Sequence, residues 1–231
     1  MKIWLIQRSE ITPIDKGNYR LLRTASIAEN IVKAGHEVIL WTSDFNHFDH
    51  EHRFKKSKLV KYKHNYHIQF LKSIGYTKNF SIRRYIDDIY VAKSFTKLAL
   101  KKDLPDTILV SMPSIELTSS VIKYAKKNKV PVYVEIRDLW PDIFFDVAPI
   151  LIKPFVLFFS IFLNQKLKNS LKNADGIIGI TESYLDWALK KINRRKSLKD
   201  VVIQMGYKKN KSNDYLNETH YKKILKKFSF S

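Results

Sequence analysis

The stretch Glu-Ile-Arg-Asp-Leu-Trp-Pro-Asp, residues 135–142, gathers four charged side chains and an indole around one proline. It follows the apolar run 131–134, which reads as a buried strand. Pro141 biases Trp140 towards an extended backbone, so no helix begins before it. Arg137 and Asp138 are thereby held in a short, rigid turn. In an open α/β sheet, ligands bind in the crevice beyond the carboxyl ends of the strands, and this turn lies at such an end. Two readings are open: a ligand-facing pair, or a structural Arg–Asp pair that caps the next element.

A second cluster lies near the start of the chain. Arg20 and Arg23 are three residues apart at the beginning of an expected helix, where a cation costs about 0.3–1 kcal/mol against the helix dipole. Two arginines there fit an anion seated on the free N–H groups of that helix end; the alternative is that both lie in solvent. Gly17, just upstream, permits close approach of backbone to a ligand. Neither a G-x-G-x-x-G turn nor a G-x-x-x-x-G-K-[ST] loop occurs, which argues against a dehydrogenase or a P-loop enzyme.

The elements that must position these residues follow from periodicity. Residues 2–6, 37–41, 66–71, 107–111, 131–136, 176–180 and 201–205 read as strands. Helices are expected over 19–34, with Gly35 as its left-handed stop, over 81–102, over 114–129 with Ser114 as N-cap, and over 183–193. Residues 42–65 read as a long exposed loop. This alternation predicts an α/β fold, a doubly wound, mostly parallel sheet.

The chain has 231 residues and no cysteine, so disulfides and thiolate metal sites are excluded. The apolar run at the N-terminus is too short for a signal peptide, and a cytoplasmic location is expected. The 42 Lys and Arg against 22 Asp and Glu give a formal charge of +20, a surface that attracts anions. Within 44–52, Asp44, His47, Asp49, His50 and His52 could ligate zinc, but no second cluster completes a site; a solvated loop is the plainer reading. Residues 149–163 are strongly apolar but broken by Lys153 and Pro154, and too short for a membrane span. They read as a buried core helix or as a helix in the membrane interface, with Lys166, Lys168 and Lys172 towards anionic headgroups. The basic, aromatic stretch 53–67 fits nucleic acid or an anionic membrane equally, and no nucleic-acid-binding motif accompanies it.

The order of motifs resembles the N-terminal half of a GT-B glycosyltransferase. These are "GNYRLLR" (17–23), "GHEV" (35–38), "YTKNFSIRRYIDD" (76–88), "RDLWPD" (137–142), "NADGII" (173–178) and "MGY" (205–207). More narrowly, it resembles retaining family 4 enzymes of the WbuB type, which build O-antigen or capsular polysaccharide. The resemblance implies one Rossmann-like half of a two-domain architecture over 1–206, and in 207–231 a linker or tail towards a C-terminal donor-binding domain. That domain would come from a longer chain or from a separate donor-binding chain, and the isolated chain is expected to be inactive.

Further implications fall on particular residues. Asp138 and Arg137 take the place of the pair near the reacting sugar, the family's usual histidine being replaced by Arg137. Gly17 and Asn18 occupy the loop that approaches the donor phosphates. Arg20, Arg23, His47, Trp140 and Asp142 complete the expected contacts to donor phosphate and acceptor. The implied partners are a nucleotide sugar, a polyprenyl-linked saccharide acceptor and an anionic membrane surface on the inner face of the plasma membrane. No metal, cofactor or nucleic acid is expected. The competing class is a non-catalytic basic module that binds membrane or nucleic acid.

Overall fold

In the computed structural model, residues 1–16, 20–79, 81–144 and 148–206 are described. Eight strands form one sheet in the order β10-β9-β8-β7-β1-β2-β6-β5. They are β1 (Lys2–Ile6), β2 (Glu37–Ser43), β5 (Lys58–Lys63), β6 (Tyr66–Leu71), β7 (Thr107–Ser111), β8 (Val132–Ile136), β9 (Gly176–Gly179) and β10 (Val201–Val202). Every pairing is parallel except that of β5 with β6. Parallel strands need crossovers, and the helices supply them: α1 (Arg23–Lys33), α2 (Ile82–Ala99), α3 (Ile115–Lys127), α4 (Lys153–Leu171) and α5 (Glu182–Ile192). This is the doubly wound α/β fold expected from the alternation.

Two cores fill the two faces of the sheet. Alternate side chains of a strand point to opposite faces, so Trp4 and Ile6 enter one core and Leu5 the other. The larger core packs the sheet against α2, α3, α4 and α5; the smaller one holds Ala28 of α1 against Val38, Leu40, Ile68 and Phe70. At the centre of the larger core the rings of Trp4 and Trp41 lie 4.6 Å apart, and Trp4 stacks on Tyr124 at 5.6 Å. Phe95 of α2 meets Trp41 edge-on at 5.1 Å.

The helix ends follow local chemistry. Gly35 has φ +86° after α1, a conformation that costs a residue with a Cβ. The hydroxyl of Ser114 accepts from the Leu117 N–H at the start of α3. α1 begins at Arg23, four residues later than expected, with Leu22 as its N-cap.

Residues 42–65 are not a long exposed loop. Asp44, Phe45 and Asn46 are buried, and β3 (Phe45–Asn46) pairs with β4 (Glu51–His52) as a short hairpin. β5 is an antiparallel edge strand on which Lys58, Lys61 and Lys63 are exposed. Lysines along an edge keep other chains from pairing with it, and this density of charge hides a strand from a reading based on hydrophobic pattern. Among the described residues, no helix is long and apolar enough to cross a membrane.

Phe95 is fully buried and touches both tryptophans. Phe95→Ala is expected to lower the unfolding free energy by about 3–5 kcal/mol, read as a fall in the denaturant midpoint at unchanged slope.

Candidate functional site

The strand order reverses direction at β1: the chain runs one way to β2 and the other way through β7, β8 and β9. Open α/β sheets bind ligands at such a switch point, beyond the carboxyl ends of the strands. The loops that follow β1, β7 and β8 all open onto this crevice, and two polar clusters lie there.

The first cluster is built on Glu135, the penultimate residue of β8. Its side chain is 1% exposed. Arg23 Nε donates to Glu135 Oε1 at 2.5 Å, Arg137 Nε donates to Oε2 at 2.6 Å, and Ser111 Oγ donates to Oε2 at 2.7 Å. Arg137 also pairs with Glu10, which follows β1, and donates to Thr24 Oγ1 at 2.9 Å. Arg23 spends its remaining donors on the carbonyls of Ile203 and Gln204, beyond β10, at 2.8 and 2.7 Å. Burial alone would raise the Glu135 pKa; Arg137, Ser111 and Arg23 outweigh it and hold the carboxyl below its ordinary range.

The helix end next to it has an internal anion. Glu10 Oε2 accepts from the Thr24 N–H at 2.9 Å and Glu10 Oε1 from its hydroxyl at 2.8 Å. The charge that the dipole of α1 favours is thus supplied by the protein. Arg20 lies ahead of the helix and is exposed, and the structure does not bring it together with Arg23 on one helical face. Gly17 and Asn18 lie outside the described residues.

The second cluster contains Asp138. The carboxylate is half-buried, and it does not pair with Arg137, whose donors go to Glu135, Glu10 and Thr24. Burial raises its pKa, and the charge that opposes this shift is Arg84, in the first turn of α2. The Arg84 guanidinium lies 4.9 Å from the Trp140 ring centroid and 5.4 Å from that of Tyr76. Its Nη1 donates to the Asn79 carbonyl at 2.9 Å, and burial lowers its pKa. Trp140 rests on Phe144 with 4.4 Å between centroids.

His47 joins this cluster from the β3–β4 hairpin: its Nδ1 lies 2.7 Å from the Tyr76 hydroxyl. Burial, with the nearby charges of Arg84 and Arg8, lowers its pKa, so the ring is neutral at pH 7. Behind these groups Arg8 is 4% exposed, pairs with Asp87, and holds Asp88 at 2.7 Å. Ser114, the N-cap of α3, completes the link by donating to Asp88 at 3.2 Å.

Asp142 stands apart. It accepts from Asn164 at 3.1 Å, from Trp187 Nε1 at 2.8 Å and from Lys191 Nζ at 2.8 Å. Burial works against the charge, but these hydrogen bonds outweigh it and lower the pKa. The side chain therefore fastens the turn after β8 to α4 and α5. Among the described residues, no three or more His, Asp and Glu side chains gather to hold a metal ion. In the 44–52 segment, His50 contacts the Tyr76 carbonyl and His52 contacts buried Asp44.

Arg8, Glu10, Tyr76 and Arg84 were not singled out by spacing. Two signals for them existed: "QRSE" places an arginine and a glutamate at the end of the first strand, and Arg83-Arg84 sit in a helical first turn where cations are disfavoured.

No family model matches the chain, and no curated protein matches it. Among solved structures, it is similar to a sucrose-phosphate synthase from Thermosynechococcus elongatus, with 10% identity, 100% of each chain covered and a TM-score of 0.57. At that identity the likeness is one of fold: the chain is an α/β domain similar to one half of the GT-B architecture.

The two clusters respond to mutation in opposite ways. Glu135→Gln leaves two buried arginines short of a counter-charge, with an expected loss of about 3–5 kcal/mol at pH 7. The Glu135 contribution is present above the unfolded carboxylate's pKa and disappears as pH falls through the lower folded value. Asp138 has a raised pKa, so its charge destabilises the fold at pH 7 and stops doing so as pH falls. Asp138→Asn should leave the melting temperature equal or higher at pH 7, and any gain should vanish in acid. Thermal unfolding of both variants across pH checks the contrast.

Proposed function

We propose that this chain is the acceptor-side domain of a retaining glycosyltransferase, of the family 4, WbuB-like kind. In this reading it works opposite a donor-binding half and helps move a sugar from a nucleotide-sugar donor to a polyprenyl-linked saccharide. The setting is O-antigen or capsular polysaccharide assembly at the inner face of the plasma membrane. The observation that carries the reading is Asp138: a half-buried carboxylate that forms no ion pair among the described residues, at the crevice of a GT-B-like fold and near the Arg84 guanidinium, which itself lies over Trp140.

The chemistry asks little of this half beyond position and charge. The bond from the anomeric carbon to the donor phosphate oxygen breaks, and a bond to an acceptor hydroxyl oxygen forms. The hydroxyl proton leaves with the nucleotide phosphate. Positive charge develops on the sugar in the transition state, and a fixed carboxylate beside it is stabilising there. Asp138 supplies that charge. Neutral His47, fixed by Tyr76, has its other ring nitrogen for an acceptor hydroxyl. Arg84 offers a guanidinium for acceptor phosphate. Arg23, Arg137 and Asp142 act as positioning residues that hold the turn after β8 in place. The raised pKa of Asp138 implies that activity falls in acid sooner than for an ordinary aspartate.

The test uses the chain combined with a donor-binding half. Asp138→Asn is expected to reduce kcat by about 100-fold or more while KM for the acceptor changes by less than about threefold, the mark of an interaction made mainly in the transition state. A variant that transfers sugar at the parental rate would remove Asp138 from the reaction centre.

A further inference from the structure

α4 carries apolar side chains on two opposite sides. Leu163, Leu167 and Leu171 face the core. On the opposite side Phe155, Phe158 and Phe162, spaced i, i+3 and i+7, are 68%, 76% and 57% exposed. Leu151, in the short 3-10 turn Ile150–Ile152 that precedes the helix, is 91% exposed. A helix that is apolar all round expects cover on both sides.

A second strip lies beside it. On α2, Ile82 and Ile86 are exposed at i and i+4, at 74% and 49%. Tyr85, between them, meets Phe159 of α4 edge-on at 5.0 Å, so the two strips join. Both helices start at the carboxyl edge of the sheet, because α2 follows β6 and α4 follows the turn after β8. Asp142 in that turn accepts from Asn164 on α4, so the phenylalanines, which precede Asn164, lie in the half of α4 that starts at this edge.

We propose that this rim, formed by Ile82, Ile86, Leu151, Phe155, Phe158 and Phe162, is the surface by which the chain docks on an anionic lipid bilayer. The inference deepens the transferase reading and rests on it for the orientation of the crevice towards a membrane-held acceptor. Charge chooses the occupant. From His52 to Ile86, and again from Ala148 to Ala174, the sequence contains no Asp or Glu. Lys78 and Arg83 are exposed on either side of Ile82, and Lys153 precedes Phe155. Apolar side chains with a cationic collar of Lys78, Arg83 and Lys153 match the acyl boundary and headgroups of an anionic leaflet; Glu116, which reaches the junction of the strips through the Tyr85 hydroxyl, is paired with Lys166. A second copy of the chain would bring the same collar and be repelled.

The test is flotation of the purified chain with phosphatidylcholine vesicles, with and without one third phosphatidylglycerol, at physiological ionic strength. The chain should float with the anionic vesicles, less so in high salt. Phe158→Ser with Phe162→Ser should weaken binding by about an order of magnitude or more, since each ring loses its burial in lipid. The melting temperature should not fall, because both rings are exposed. Leu59→Ser, on edge strand β5, should leave binding unchanged; Leu59 is 42% exposed. Parental binding by the double serine variant would overturn the proposal. So would failure of the parent chain to float, or binding of random DNA but not vesicles. Flotation needs neither donor nor turnover. A chain that docks but never supports transfer sinks the transferase reading alone; one that supports transfer without docking sinks this inference alone.

Discussion

The carboxyl edge of the sheet depends on one buried carboxylate. Glu135 closes β8 where water is excluded, and a lone charge there would be strongly destabilising. Two arginines and a serine neutralise and saturate it. Those partners come from the start of α1, from β7 and from the turn after β8. Through Arg137 the network reaches Glu10 after β1, and through Arg23 it reaches the carbonyls beyond β10. Segments far apart in sequence are therefore locked together by the need to satisfy one group.

That arrangement shapes the site. Because Arg137 points inward to Glu135 and Glu10, its neighbour Asp138 is left without it and takes its electrostatic environment from Arg84, on a different element. Burial and a single, more distant cation give a carboxylate that is costly to charge, whereas Glu135, with two direct cations, is easy to charge. Two acids three residues apart thus have opposite shifts, one saturated by direct ion pairs and one not. Groups with pKa values pushed apart in this way are a pattern of functional sites. In the deeper set one guanidinium, Arg8, bridges two carboxylates, Asp87 and Asp88, and ties the end of β1 to α2.

The rim of α2 and α4 has a different logic. The core side of α4 is filled by leucines, but the phenylalanines on its far side find no protein surface among the described residues. Exposed aromatic and aliphatic side chains of this number are disfavoured in water and mark interaction surfaces. They lie on two helices that start at the carboxyl edge of the sheet, so that this edge carries charged groups in its loops and exposed apolar groups on the helices that leave it.

The sequence by itself determined the architecture. Hydrophobic runs at strand spacing, helical periodicity between them, Gly35 and Ser114 at helix boundaries, and the order of the motifs specify a doubly wound α/β sheet, because these signals are local. The turn at 137–142 was equally visible, since a strand rarely ends in so many polar groups without cause. Tertiary structure alone decided what those groups do. Whether Arg137 pairs with Asp138 or with Glu135, whether the anion at α1 is a ligand or Glu10, and whether Asp142 faces a ligand or Lys191 are questions of contact between distant segments. The hairpin and edge strand within 42–65 were hidden because lysine density masks an alternating pattern. For the apolar run 149–163, composition is the same for a helix covered on all sides and for one covered on one side only. Only the packing of α4 against its neighbours separated the leucines that face the core from the phenylalanines that do not.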